Sequence, residues 1–450
     1  MAGNIRLDRA LDLPPFWLSF AFMALVSLPM SYVAFPITAA PLGVMPALGI
    51  IALITLVMCT TTAAIAESIV LVPANERPKN LNDLVTLYLG RTIGFLISIA
   101  ITVIFFVVLV ACNISIVETL YAFTGWPKLM WLWLFGALTL LVISFGSIAH
   151  SLSLVAGGIA IVVMSVIIVA LSPFVSLDRV LYFQLPFTNN LGFAPEIWSG
   201  FLGIMILSFI GPLLLVPSAL YVLPRNPKAD LFIKGSLWGI VFQAILMGLW
   251  VLAVDLTLFP GQLIGLHGTV LVELGVVTDP FIKVMGAILV LILPGLAAIR
   301  SAAQLGVQMK IFLPPTKLLP GKDNSFLVKY LLPALPAIFS LILVTILVDE
   351  NKADVSAFLS IGGILGSTIA TGIVPIMLYR AVIRRNKEPN IPLLGFFRRR
   401  LVMMFNLLFF IAILLLYGLV VWDSIVIQIA ACVISILALI QLFKLFRFTQ

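Results

Sequence analysis

The stretch from Ser27 to Gly43 places three prolines, Pro29, Pro36 and Pro41, inside or at the end of an apolar run that begins at Phe16. Proline lacks an N–H, and its ring collides with the carbonyl four residues earlier. A helix at membrane depth therefore keeps such a cluster only where the freed carbonyls find partners. The spacing predicts a helix interrupted at mid-membrane. Ser208 to Pro217 (SFIGPLLLVP) repeats the pattern near the start of the second half of the chain. Paired Gly/Pro breaks at corresponding places in two halves point to the binding site of a secondary transporter.

The rest of the chain provides the membrane setting. Hydrophobic residues make up 62% of the 450 and charged ones 10%, and mean hydropathy is +1.23, which excludes a soluble fold of this size. Runs of roughly 20 apolar residues give twelve expected spans, near 16–40, 44–71, 82–118, 129–146, 149–172, 195–222, 231–258, 280–311, 327–348, 355–380, 402–422 and 425–444. Only Asp423 and Ser424 separate the last two. The first run continues past Pro36 without a small-residue cleavage site, so it reads as a retained helix and not a signal peptide. With the amino terminus inside, 21 of the 26 Lys and Arg fall on the cytoplasmic side, four fall outside, and Arg300 lies within the eighth span. That bias supports the orientation and places both termini in the cytoplasm. The net charge of +8 is thus an orientation signal and not a nucleic-acid footprint. The three cysteines, Cys59, Cys112 and Cys432, sit in apolar runs and read as reduced packing residues, with no metal cluster among them.

Val33 to Gly43 (VAFPITAAPLG) resembles the stretch after the unwound first helix of LeuT-fold amino acid carriers of the APC superfamily. Ala66-Glu67 is similar to the end of the second helix in the amino acid/auxin permease branch, and Asn80 to Gly90 (NLNDLVTLYLG) to that branch's approach to the third. Ser208 to Leu220, followed by Arg225, Lys234 and Gly235-Ser236, resembles the sixth helix of bacterial aromatic amino acid permeases, and Ile361 to Tyr379 their tenth. The resemblance implies one all-α transmembrane transporter domain over 1–450. Two inverted five-helix repeats, about 16–172 and 195–380, would be followed by two extra helices at about 402–444. It also implies a multi-pass protein of a bacterial inner (plasma) membrane, surrounded by lipid, with an amino acid held between the broken first and sixth helices. In this chain the first break reads Pro29-Met30-Ser31 where the family is Gly-rich, and Pro29 offers no N–H.

An amino acid brings a carboxylate and an ammonium, each costly to bury unpaired. Half-helix amino ends offer N–H groups to the first, and half-helix carboxyl ends offer carbonyls to the second. The substrate-binding candidates are therefore Met30, Ser31 and Tyr32 at the first break and Phe209, Ile210 and Gly211 at the sixth; plain proline kinks are the alternative reading. Asn113, at mid-depth in the third span, either faces substrate or joins helices by a hydrogen bond. Phe209 and Val108 are candidates for an apolar wall. Arg300, after a Pro294-to-Arg300 run similar to one in neutral amino acid carriers, is a coupling candidate or a structural ion-pair partner. Glu67 is a second coupling candidate or a cap at the inner interface. Glu118 and Asp255 fall near outer ends of spans, where water is close, and read as solvated charges.

No cofactor is expected. The eighth span reads Leu291-Ile292-Leu293-Pro294 where this fold's sodium site needs hydroxyls, with none until Ser301, so a proton is favoured over sodium as the coupling ion. An integral membrane enzyme is disfavoured, since only His150 and His267 occur and there is no His-Glu-x-x-His. A sensor or receptor subunit that keeps the ligand site without transport fits the same residues.

Overall fold

The computed structural model describes residues 13–447 except 28–30, 74–75, 79, 145–147, 182–194, 227–228, 264–265, 267–268, 313–330, 350–354, 386–394, 397–398 and 422–424. Every regular element among the described residues is helical. The first span is a pair, α1 (Pro15–Ser27) and α2 (Ser31–Ala39). It is followed by α3 (Val44–Leu71), the short α4 (Leu81–Leu89), α5 (Arg91–Thr124), α6 (Lys128–Ser144) and α7 (Ile148–Leu171). The second half opens with another broken span, α8 (Pro195–Ser208) and α9 (Leu215–Val222) on either side of a 3₁₀ turn over Gly211–Leu214. Then come α10 (Asp230–Asp255), α11 (Pro260–Leu263), α12 (Val270–Val277), α13 (Pro280–Phe312) and α14 (Leu332–Asp349). The tenth span is α15 (Val355–Ile361), a π-helical stretch over Gly362–Ile373, and α16 (Val374–Arg385). Two further helices close the described chain, α17 (Arg400–Leu416) and α18 (Ile425–Arg447).

Eight helical segments are long and apolar enough to cross a bilayer, and four shorter apolar helices accompany them among the described residues. At 1.5 Å per residue, α5 (34 residues) and α13 (33 residues) run well past the roughly 30 Å of a hydrocarbon core. The chain is a multi-pass membrane protein whose twelve expected spans all fall on helices. One boundary is corrected. The third span, expected as one run over 82–118, is divided at Gly90, whose φ of 90° ends α4 with its N–H on the Thr86 carbonyl and starts α5 in a new direction, a conformation that glycine adopts without strain. The Asn80 side chain caps α4 by accepting from Asp83 N–H at 2.8 Å.

Hydrophobic contrast cannot drive helices together inside lipid, so close backbone approach and interhelical hydrogen bonds carry the assembly. Gly239 lets α10 lie on α1: a Cβ there would stand 2.5 Å from Met23 Cβ and 2.9 Å from the Phe20 carbonyl. Gly203 of α8 faces Gly363 of the π-helical stretch, where a Cβ would meet the Gly203 carbonyl. Phe35 of α2 stacks on Phe201 of α8 with centroids 4.8 Å apart. Polar ties fasten α4 to α13 and the end of α5 to the start of α12: Asn82 donates to Gln308 at 2.9 Å, and the Thr119 and Thr269 hydroxyls meet at 2.8 Å. Cys59 and Cys112 are buried, and neither is in a disulfide.

Candidate functional site

A proline at position i leaves the carbonyl of residue i−4 without its helical donor. Pro36 in α2 thereby orphans Tyr32, and Pro212 at the sixth break orphans Ser208. Both carbonyls receive side-chain donors from one helix. Trp250 Nε1 donates to the Tyr32 carbonyl at 2.6 Å, and Gln243 Nε2 donates to the Ser208 carbonyl at 2.5 Å. The two donors sit seven residues apart on α10. Seven residues is about two turns, or roughly 10 Å, along one helix face. Both side chains are fully buried. The break expected at Pro212 is present, residues 28–30 of the expected first break lie outside the described residues, and α10 supplies the donor to each orphaned carbonyl.

At the first break α1 ends at Ser27 and α2 begins at Ser31; Met30 lies outside the described residues. Ser31 is thus the first described residue of α2. Tyr32 follows it, buried to 1% exposure, with its Oη lacking a hydrogen-bond partner. At the sixth break Phe209 N–H donates to the Ile206 carbonyl at 3.2 Å and Leu213 N–H to the Ile210 carbonyl at 3.0 Å. This tightens the chain into i→i+3 geometry between α8 and α9. Phe209, Ile210 and Gly211 are all buried. The 3₁₀ turn and α9 both pack on α1, and α2 packs on α8, so the fold brings the six break candidates into one region, apart from Met30. Gln243 Oε1, like Tyr32 Oη, is buried without a partner.

The remaining candidates lie elsewhere. Asn113 is buried in α5 and its Nδ2 donates to Ser340 Oγ of α14 at 3.2 Å, which is the interhelical alternative of the two readings. Val108 is buried nearby on the same helix. Arg300 is half-buried in α13, six residues beyond Pro294. Glu67 is 2% exposed and lines a cavity of about 10 Å³ between α3, α16 and α17, with Thr60, Tyr379 and Met403 in its wall. Glu118 forms an ion pair with Lys128 at 2.7 Å. Asp255 departs from that reading. It is 6% exposed because the chain beyond it folds back through Leu256 to Leu263 over the end of α10. A hollow of about 510 Å³ is an open apolar groove between α3 and α10 and includes no residue of either break.

Gln243 and Trp250 were the residues hardest to find from sequence. Their signal is indirect: two side-chain N–H donors at i and i+7 in an apolar span, matched to two prolines elsewhere.

An all-α bundle with its first and sixth spans broken is the LeuT-type transporter fold, and solved structures share it. The chain is similar to a manganese transporter of Eremococcus coleocola in complex with an aromatic bis-isothiourea compound, at 14% identity and TM-score 0.61, over 100% of this chain and 96% of that one. It is also similar to the inward-facing conformation of Mhp1, at 17% identity and TM-score 0.50, over 96% and 91%. No protein-family model matches the chain, and no curated protein matches its sequence. The likeness establishes the fold.

Proposed function

We propose that this protein is a secondary active transporter that moves a neutral amino acid with a large apolar or aromatic side chain by alternating access. The observation that carries the reading is the pair of proline breaks braced by α10. One orphaned carbonyl at each break is satisfied within the protein, and the backbone groups of the breaks that lie outside the helical and 3₁₀ hydrogen bonds would meet a zwitterion. Ser31 and Tyr32 would offer N–H groups at the start of α2. The end of α8, with Phe209 to Gly211, would offer carbonyls to the ammonium and an apolar wall to the side chain.

A manganese cargo, as in the Eremococcus protein, is less well served. The residues 27–43 and 208–217 contain no Asp, Glu, His or Cys, whereas a divalent cation of that kind requires hard or imidazole donors. The absence of charged side chains suits a net-neutral solute. Proton coupling through Glu67 or Arg300, and residence in a bacterial inner membrane with both termini cytoplasmic, complete the proposal.

The test is a thermal-shift screen of purified protein over all common amino acids and Mn²⁺, followed by uptake of labelled hits into proteoliposomes. Stabilisation and uptake of a neutral amino acid support the proposal. Stabilisation without uptake gives a sensor instead, and a response to Mn²⁺ alone overturns the substrate class.

A further inference from the structure

Asp255, the last residue of α10, is 6% exposed, and neither carboxylate oxygen has a hydrogen-bond partner. A bare carboxylate removed from water is disfavoured unless something pairs with it. It lines a cavity of about 10 Å³ shared with Ala40, Gly43, Val44, Arg179, Pro260 and Leu263. That is room for one water, and a buried water needs two to four polar partners. Arg179, in the 3₁₀ turn Leu177–Leu181 that lies between the two halves of the chain, donates from Nη1 to the Leu256 carbonyl at 3.1 Å. Its guanidinium also stacks 3.9 Å over the Phe259 ring. A guanidinium carries five N–H donors in a fixed fork, and this use leaves donors for the cavity. The same loop is fixed at a second point, where Ser176 N–H donates to the Leu256 carbonyl at 2.9 Å.

A metal ion is a poor occupant. Arg179 places a positive charge in the wall, the Leu256 carbonyl already accepts twice, and the Ala39 carbonyl accepts from Leu42 and Gly43. We propose that the cavity binds a single water that bridges the Asp255 carboxylate to the Arg179 guanidinium. The bridged pair ties the connection between the two halves onto the outer end of α10 and the turn between α2 and α3. This tie does not depend on the identity of the transported solute.

The experiment is a double-mutant cycle on the full chain with Asp255→Asn, Arg179→Gln and both together. The background carries alanine at Cys59, Cys112 and Cys432 and the reporter Thr257→Cys, a near-isosteric change at a buried residue beside the tie and outside the cavity wall. The readouts are unfolding temperature and the rate of labelling of the reporter by a membrane-impermeant maleimide from outside. Each single change is expected to speed labelling at least tenfold, and the double change to match either single, because one tie is broken once. Asn113→Ala, remote from this cavity, sets the background effect of general destabilisation. Additive effects in the double variant, or labelling no faster than in Asn113→Ala, overturn the proposal. Should Asp255→Asn not fold, Arg179→Gln against Arg179→Lys decides it: the tie requires the loss of charge to speed labelling more than the Lys replacement does.

Discussion

Replacing Trp250 by Phe keeps an aromatic ring in place but deletes the N–H that serves the Tyr32 carbonyl. Pro36 prevents that carbonyl from finding a helical donor, so it becomes a buried orphan. An orphaned buried acceptor costs about 1–3 kcal/mol, while hydrogen bonds between membrane helices average about 0.6 and reach about 1.7 kcal/mol, because the unfolded chain in lipid also finds partners. The 2.6 Å contact and full burial place this bond near the upper end, and the smaller ring adds roughly 1 kcal/mol of lost packing. The expected loss is about 2.7 kcal/mol, roughly a hundredfold in an equilibrium constant. Gln243→Leu should cost less. It orphans the Ser208 carbonyl but also removes the partnerless Gln243 Oε1, so the two changes oppose each other and the net effect should stay below about 1 kcal/mol. Thermal unfolding in detergent, with amino acid affinity measured on the same samples, checks the ranking. If Trp250→Phe is neutral in both, or if Gln243→Leu is the more damaging, the bracing of the breaks by α10 is wrong.

Three further expectations follow from the site. Gly211→Leu should abolish substrate binding while expression and folding persist, since a bulky side chain at the start of the 3₁₀ turn fills the space between the half-helices; near-normal uptake would remove Gly211 from the site. Asn113→Ala should lower stability by about 1 kcal/mol through loss of its bond to Ser340 and leave affinity unchanged; a tenfold weaker Kd would instead put the amide on the substrate. Arg300→Ala separates two roles on one purified variant: loss of accumulation with retained exchange marks coupling, whereas lowered thermal stability with normal concentrative uptake marks a structural charge.

Much of the architecture was legible because proline and hydropathy act locally. Pro212 announces its break and Pro36 its orphaned carbonyl without any neighbour, and each expected span falls on helix. The Gly90 corner was not legible, since a hydropathy window sees one apolar run over 82–118 and is blind to a backbone angle. The π-helical stretch in the tenth span carries glycines at 362, 363, 366 and 372, which suit close packing in any helix and so do not specify this one. Asp255 was misread for a different reason. Its burial comes from residues 256–263, which are too few to register as a span, so the residue looked solvated. The partners of the breaks were illegible because a proline names the carbonyl it orphans but not the donor, which here lies 218 residues away for Tyr32.

That separation also bears on how the chain is made. The Tyr32 carbonyl enters the membrane with the first span, and its donor arrives only with the seventh. The Asn82 and Asn113 amides likewise wait for acceptors 226 and 227 residues downstream. Until α10 is inserted, the amino-terminal half holds a kinked helix whose exposed carbonyl lipid cannot satisfy. A ribosome-bound intermediate ending before Trp250 should therefore keep its first span near interfacial water or beside a polar chaperoning surface. A nascent chain stalled past residue 255 should be the first to hold that span at full depth.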